Sequence, residues 1–184
     1  MPPETIREFI ESRIKEGDFP SASWAVGDDR GIIGEGAAGQ AVIGAEGTEA
    51  TVETIYDVAS LTKPLVTGFL AALSIEKGVF AVSDPVARFF HAFDTNEKRD
   101  ITIGDLLAHR SGFEAWRPFY LEVNSDGRSS LLEAVQRRIA ELPLAYPTGK
   151  RVLYSGLNFI LLGAVLEKMA GKTLAELFEE HLRS

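Results

Sequence analysis

The stretch Tyr56-Asp57-Val58-Ala59-Ser60-Leu61-Thr62-Lys63-Pro64 sets a serine and a lysine three residues apart, behind a short apolar segment and ahead of a helical run. Residues three apart at a helix start share one face, so Lys63 projects beside Ser60. A serine hydroxyl is a weak nucleophile and needs an adjacent base. A lysine can serve only through its neutral form, which partial burial and a helix N-terminus both favour. The same helix end directs backbone N–H groups toward the serine, where they can stabilise an oxyanion. A capping serine with a solvated lysine would leave the same four-residue pattern, so its meaning depends on the rest of the chain.

Two later elements bear on it. Tyr154-Ser155-Gly156 follows the turn Tyr146-Pro147-Thr148-Gly149 and precedes the apolar run 157–170. A tyrosine near a lysine favours phenolate and can relay protons, although a core tyrosine at a helix entry reads equally well locally. In Leu106-Leu107-Ala108-His109-Arg110-Ser111-Gly112 a histidine near a serine suggests a triad. The apolar lead-in and the following glycine instead describe a helix end, with His109 holding that terminus and the loop behind the site. His91 and His181 have no partner pattern, and three scattered histidines make no metal site. With no cysteine, disulfides, thiolate metal sites and a cysteine nucleophile are excluded.

Working outward, the N-terminus reads as an amphipathic helix with Ile6, Phe9, Ile10 and Ile14 on one face. Residues 21–26 and 32–38, joined at Asp28-Asp29-Arg30-Gly31, form a hairpin, and residues 39–53 read as an irregular connection. Beyond Ser60 the spacing predicts helices at about 60–77, 84–91, 102–109, 129–141, 157–170 and 173–182. Asp84-Pro85, Thr102 and Ser129 stand at helix starts, while Gly78 and Gly171 stand at stops. The segment 112–128 is long for a compact domain and is a candidate binding loop. Its aromatics Phe113, Trp116, Phe119 and Tyr120 either line a pocket or pack over the helices. One hairpin and a short extended segment cannot make a stable sheet alone, so strands that complete it are expected elsewhere.

The chain has 184 residues, 45% of them hydrophobic and 25% charged, enough for a proper core. A net charge of −8 argues against nucleic acid, whose phosphates need a basic face. No apolar stretch approaches the ~20 residues of a membrane span. The N-terminus lacks an apolar signal core, so the chain as written reads as cytoplasmic, or as periplasmic or secreted if a signal was removed.

Taken together, residues 56–64, Ile101-Thr102-Ile103 with 106–112, and Pro147-Thr148-Gly149 with Tyr154-Ser155 resemble one family in type, order and spacing. It is the serine β-lactamase-related family of class C β-lactamases, D-alanyl-D-alanine carboxypeptidases and β-lactamase-like esterases. The resemblance implies an α+β fold, an antiparallel sheet flanked by helices beside a mainly helical region, with the site in the cleft between them. Residues 1–58 would belong to the α/β part and residues 59–184 to the helical part. By the same resemblance, Ser60 forms an acyl-enzyme, Lys63 takes its proton and Tyr154 assists the leaving group. No cofactor or metal is implied, and the substrate would be a small ester, amide or β-lactam.

Two departures stand out. Where the family carries Asn or Asp two residues after the tyrosine, this chain has Gly156, which deletes a polar side chain expected at the substrate. Either activity is weakened, which the departure slightly favours, or a neighbour such as Asn158 compensates; Trp116 is expected to line the substrate side. Family members also run to about twice this length, with a Lys/His-Thr/Ser-Gly strand in the second half. A C-terminal fragment or second chain is therefore expected to complete the sheet and the active site.

Overall fold

The computed structural model describes residues 3–44, 47–123 and 130–183. The chain divides into two compact units, Met1–Asp57 and Val58–Ser184.

The first unit is a helix on a small sheet. Helix α1 (Pro3–Glu16) carries Glu4 in its first turn and Arg13 and Lys15 in its last, matching the helix dipole. Ile6, Ile10 and Ile14 follow the i, i+4, i+8 spacing of one stripe, with Ile10 buried and the other two half-buried. Phe9, expected on that stripe, falls beside it and is 63% exposed. Strands β1 (Ser21–Asp28) and β2 (Gly31–Val42) pair antiparallel around Asp29-Arg30. The Asp28 carboxylate accepts from the Arg30 backbone N–H at 2.8 Å and from its guanidinium at 2.9 Å. Gly39 (φ +86°) sits where β2 passes α1; a Cβ there would lie 2.2 Å from the Pro20 carbonyl and 2.9 Å from Ile14. Only glycine suits both the backbone angle and the gap.

The stretch expected to be irregular holds the end of β2 and a short β3 (Thr48–Glu49), paired as Gln40↔Glu49 and Val42↔Thr48. The strand order is β1-β2-β3, so among the described residues the outer edge of β1 has no neighbouring strand.

The second unit is built on helices. A 3₁₀ turn (Ala59–Leu61), a π turn (Lys63–Gly68) and α2 (Phe69–Glu76) form one helical run from Ser60 onward. It is less buried than its composition suggests. Thr67, Leu70 and Ala71 face the core, while Leu61, Leu65 and Phe69 are exposed. The expected helix at 84–91 is absent. Pro85 is extended and bridges Thr102, with Val86 N–H donating to Ile101 and Ile103 N–H to Asp84. Two 3₁₀ turns, Val86–Arg88 and His91–Phe93, stand there instead and bury Val86, Phe89 and Phe93.

Helix α3 (Ile103–Leu107) starts in a capping box formed by Thr102 and Asp105. A single turn, α4 (Phe119–Glu122), comes next. The start expected at Ser129 lies outside the described residues; Ser130 caps α5 (Leu131–Glu141), with Glu133 reciprocating. Helix α6 (Gly156–Ala170) is apolar on most of its surface and central to the unit, burying Leu157, Leu161, Leu162 and Val165. Gly171 ends it in the left-handed conformation at φ +65°, as glycine does at helix stops. Helix α7 (Leu174–His181) begins at a third capping box, Thr173 with Glu176. Close approach of α7 to α6 depends on Gly163, where a Cβ would lie 2.9 Å from Leu174.

Candidate active site

Ser60 opens its helical run on an unusual backbone. Ala59 before it has φ +43°, a left-handed angle that a side chain disfavours. The π turn after it contains Pro64, which has no N–H to bond backward, and π turns recur at functional sites. These turns leave Ser60 exposed and Lys63 half-buried, with Lys63 Nζ 3.1 Å from Ser60 Oγ.

Tyr154 completes the group from the other end of the unit. Ser60 first, and Lys63 after it, hold its phenol below the usual value. Lys63 Nζ also lies 5.3 Å from the centre of the Tyr154 ring. A hydroxyl, an amine and a phenol thus lie together on an open face.

The other predicted site residues divide. Ser155 Oγ donates to the Glu114 carbonyl at 2.6 Å, and Gly156 N–H donates to the Ala115 carbonyl at 2.9 Å. Residues 114–116 therefore run beside 154–156, and the exposed Trp116 comes directly after Ala115. Arg117 bonds Glu114 at 3.0 Å and Glu122 at 2.8 Å, and Glu122 also meets Arg138 on α5 at 3.3 Å, which ties this loop down. Of the loop aromatics, Phe113 and Phe119 pack in the core while Trp116 and Tyr120 are exposed. At Gly156 the nearest atom to a Cβ would be the Ala115 carbonyl, 3.8 Å away, so there is space for a Cβ at ordinary van der Waals distance.

Asn158 does not fill that space. It is fully buried; its Oδ1 accepts from Ser111 Oγ at 2.6 Å and its Nδ2 faces His109 Nδ1 at 3.2 Å. Both ends of its amide are committed inside the protein, so it cannot stand in for the side chain absent at 156.

His109 lies closer to the site than its place at a helix end suggests. Its ring centroid is 4.7 Å from that of Tyr154 and 5.2 Å from that of Phe159. Burial, and after it the charge of Lys63, pushes its imidazole below the usual histidine value.

Residues 6–183 match the family model described as Beta-lactamase. The chain belongs to the Beta-lactamase family. Within it, the chain is 30% identical to a candidate D-alanyl-D-alanine carboxypeptidase of Escherichia coli K12, over 95% of this chain and 43% of that protein. It is 29% identical to an N-acetylmuramyl-L-alanine amidase of Bacillus subtilis, over 96% of this chain and 43% of the relative. Among solved structures, the hydrolase EstCE1, which has promiscuous acyltransferase activity, superposes with a TM-score of 0.80 at 27% identity, covering 97% of this chain and 50% of that one. A class C beta-lactamase gives the same TM-score, 0.80, at 18% identity over 97% of this chain and 47% of that one, a likeness of fold. The small antiparallel sheet and the helix-rich second unit are those of the Beta-lactamase fold, and the chain spans 43% of the length of these curated relatives.

Proposed function

We propose that this chain carries the nucleophile half of a serine hydrolase that cleaves a small ester or amide through an acyl-enzyme on Ser60. The observation that carries this reading is the 3.1 Å contact between Lys63 Nζ and Ser60 Oγ, with the Tyr154 ring 5.3 Å from that amine and its phenol held below the usual value by Ser60 and Lys63. Ser60 Oγ attacks the acyl carbon and its proton passes to Lys63. As the tetrahedral intermediate collapses, the proton reaches the leaving alkoxide or amine with Tyr154 assisting. Water then cleaves the acyl-serine bond, releasing the acid and restoring the hydroxyl. The Ser60 backbone N–H supplies one oxyanion donor. In this reading the opposite wall of the cleft, with the second donor, comes from a C-terminal segment or a second chain. Among the described residues, the unpaired edge of β1 and the exposed Leu61, Leu65 and Phe69 agree with that arrangement.

A second reading is a β-lactamase or cell-wall carboxypeptidase, the latter favoured by the name of the Escherichia coli relative. Exposure to a p-nitrophenyl ester, a chromogenic cephalosporin and a labelled penicillin separates the two. The ester reading predicts p-nitrophenol release with an acyl mass added to the Ser60 peptide. Cephalosporin turnover, or penicillin acylation alone, favours the second reading. With the cleft completed by that segment or chain, no adduct on Ser60 with any of the three points to a catalytically impaired relative that only binds.

A further inference from the structure

We infer that His109 is the positioning residue that sets the Tyr154 hydroxyl at Ser60 and Lys63, and that it does so as a neutral imidazole with a bare Nδ1. The inference rests on the proposed role of Tyr154 but not on the identity of the substrate.

Three contacts carry it. The His109 carbonyl accepts from Leu153 N–H at 3.0 Å. Its ring nitrogen Nδ1 accepts from Ser155 N–H at 3.2 Å. The ring itself lies against Tyr154, between the two gripped residues, and Phe159 flanks it at 5.2 Å. His109 thus holds the backbone on both sides of Tyr154 and the side chain between. Its own backbone, at φ +54°, turns the end of α3 to make this possible.

The partners dictate where the proton sits. A backbone N–H can only donate, so the Nδ1 that receives Ser155 must carry a lone pair. The Asn158 amide, its oxygen already accepting from Ser111, turns its NH₂ toward the same nitrogen at 3.2 Å. Two donors meeting one ring nitrogen fix the neutral tautomer with its hydrogen on Nε2. Protonating Nδ1 would set it against Ser155 N–H and the Asn158 amide and add a charge near Lys63. The titratable groups near the ring are Lys63 and Tyr154, and the Lys63 charge also opposes a second cation. None of these residues touches an acyl group through His109, so the role of His109 is positioning and not catalytic.

Two measurements on the 184-residue protein test it. The first needs no variant: ¹⁵N NMR of the His109 ring should show Nδ1 unprotonated at neutral pH, and a proton on Nδ1 would overturn the inference. The second tracks Tyr154 by ¹³Cζ-tyrosine NMR, assigned through Tyr154→Phe. In the wild type the Tyr154 phenol should titrate below the usual phenol value. In His109→Phe, which keeps a ring but loses the acceptor, its titration should move upward. In His109→Asn it should stay low, because asparagine accepts the left-handed backbone and can offer an oxygen near Nδ1. A Tyr154 titration unmoved in His109→Phe would overturn the positioning role. A wild-type Tyr154 that titrates at the usual phenol value would instead overturn the proposed Ser60–Lys63–Tyr154 network, a separate failure. With a serine-reactive fluorophosphonate, Ser60 labelling should slow at least about tenfold in His109→Phe, approaching the range of about 10²–10⁴ for a misplaced proton-transfer group.

Discussion

Ser111 and Asn158, 47 residues apart, share a buried 2.6 Å hydrogen bond that joins the end of the α3 loop to the first turn of α6. Ser111 Oγ also accepts from Phe113 N–H at 3.2 Å, and the Asn158 amide reaches His109. The loop and the helix entry that bear His109 and Tyr154 are therefore fixed to each other from behind.

Ser111→Ala strands the Asn158 oxygen and the Phe113 N–H in the interior. Leaving a buried polar group unpaired costs about 1–3 kcal/mol, which a fall in the urea midpoint at unchanged slope would report. An unchanged midpoint would mean that this bond contributes nothing.

Glycines 39 and 156 should respond in opposite ways. At Gly39 an added Cβ meets the Pro20 carbonyl at 2.2 Å on a left-handed backbone, so Gly39→Ala should destabilise the first unit by more than about 1 kcal/mol. At Gly156 the nearest atom is 3.8 Å away at the first residue of α6, so Gly156→Ala should be neutral or stabilising by up to about 1 kcal/mol. Thermal unfolding of the two variants checks the pair.

The helical site was readable from sequence where its geometry is local. Ser60 and Lys63 are one turn apart, and Thr102, Thr173 and Gly171 mark helix ends through chemistry written within a few residues. The fate of Asn158 was not readable, because its partners stand 47 and 49 residues away and a polar residue near Tyr154 looks equally suited to the surface. The false helix at 84–91 has the same origin. Its apolar spacing suits a helix, but backbone bonds to Ile101 and from Ile103 hold Pro85 extended. Strand β3 was equally hidden, because two residues, Thr48 and Glu49, carry no periodicity and pair only through β2.

Stability should fall on acidification through His109. Burial and Lys63 depress its folded value below the ordinary 6.5, so below that pH the unfolded chain binds a proton that the folded chain resists. Stability is therefore full above the unfolded value and is lost progressively as pH falls toward the folded one. Urea midpoints at about pH 7.5 and about pH 5 should differ more for the wild type than for His109→Asn.

Removing the phenol hydroxyl in Tyr154→Phe leaves the His109 ring contact in place and takes away the group that Ser60 and Lys63 act on. Ser60 acylation by a p-nitrophenyl ester should slow by about 10²–10⁴-fold with little change in fold, as read by burst kinetics and circular dichroism.

The most direct measurement is labelling with a serine-reactive fluorophosphonate, with the adduct located by peptide mass spectrometry. A nucleophilic Ser60 activated by Lys63 predicts a single adduct on the peptide holding Ser60, absent in Ser60→Ala and formed at least about tenfold more slowly in Lys63→Ala. No adduct, an adduct on another serine, or labelling of Ser60 that is indifferent to Lys63 would contradict it.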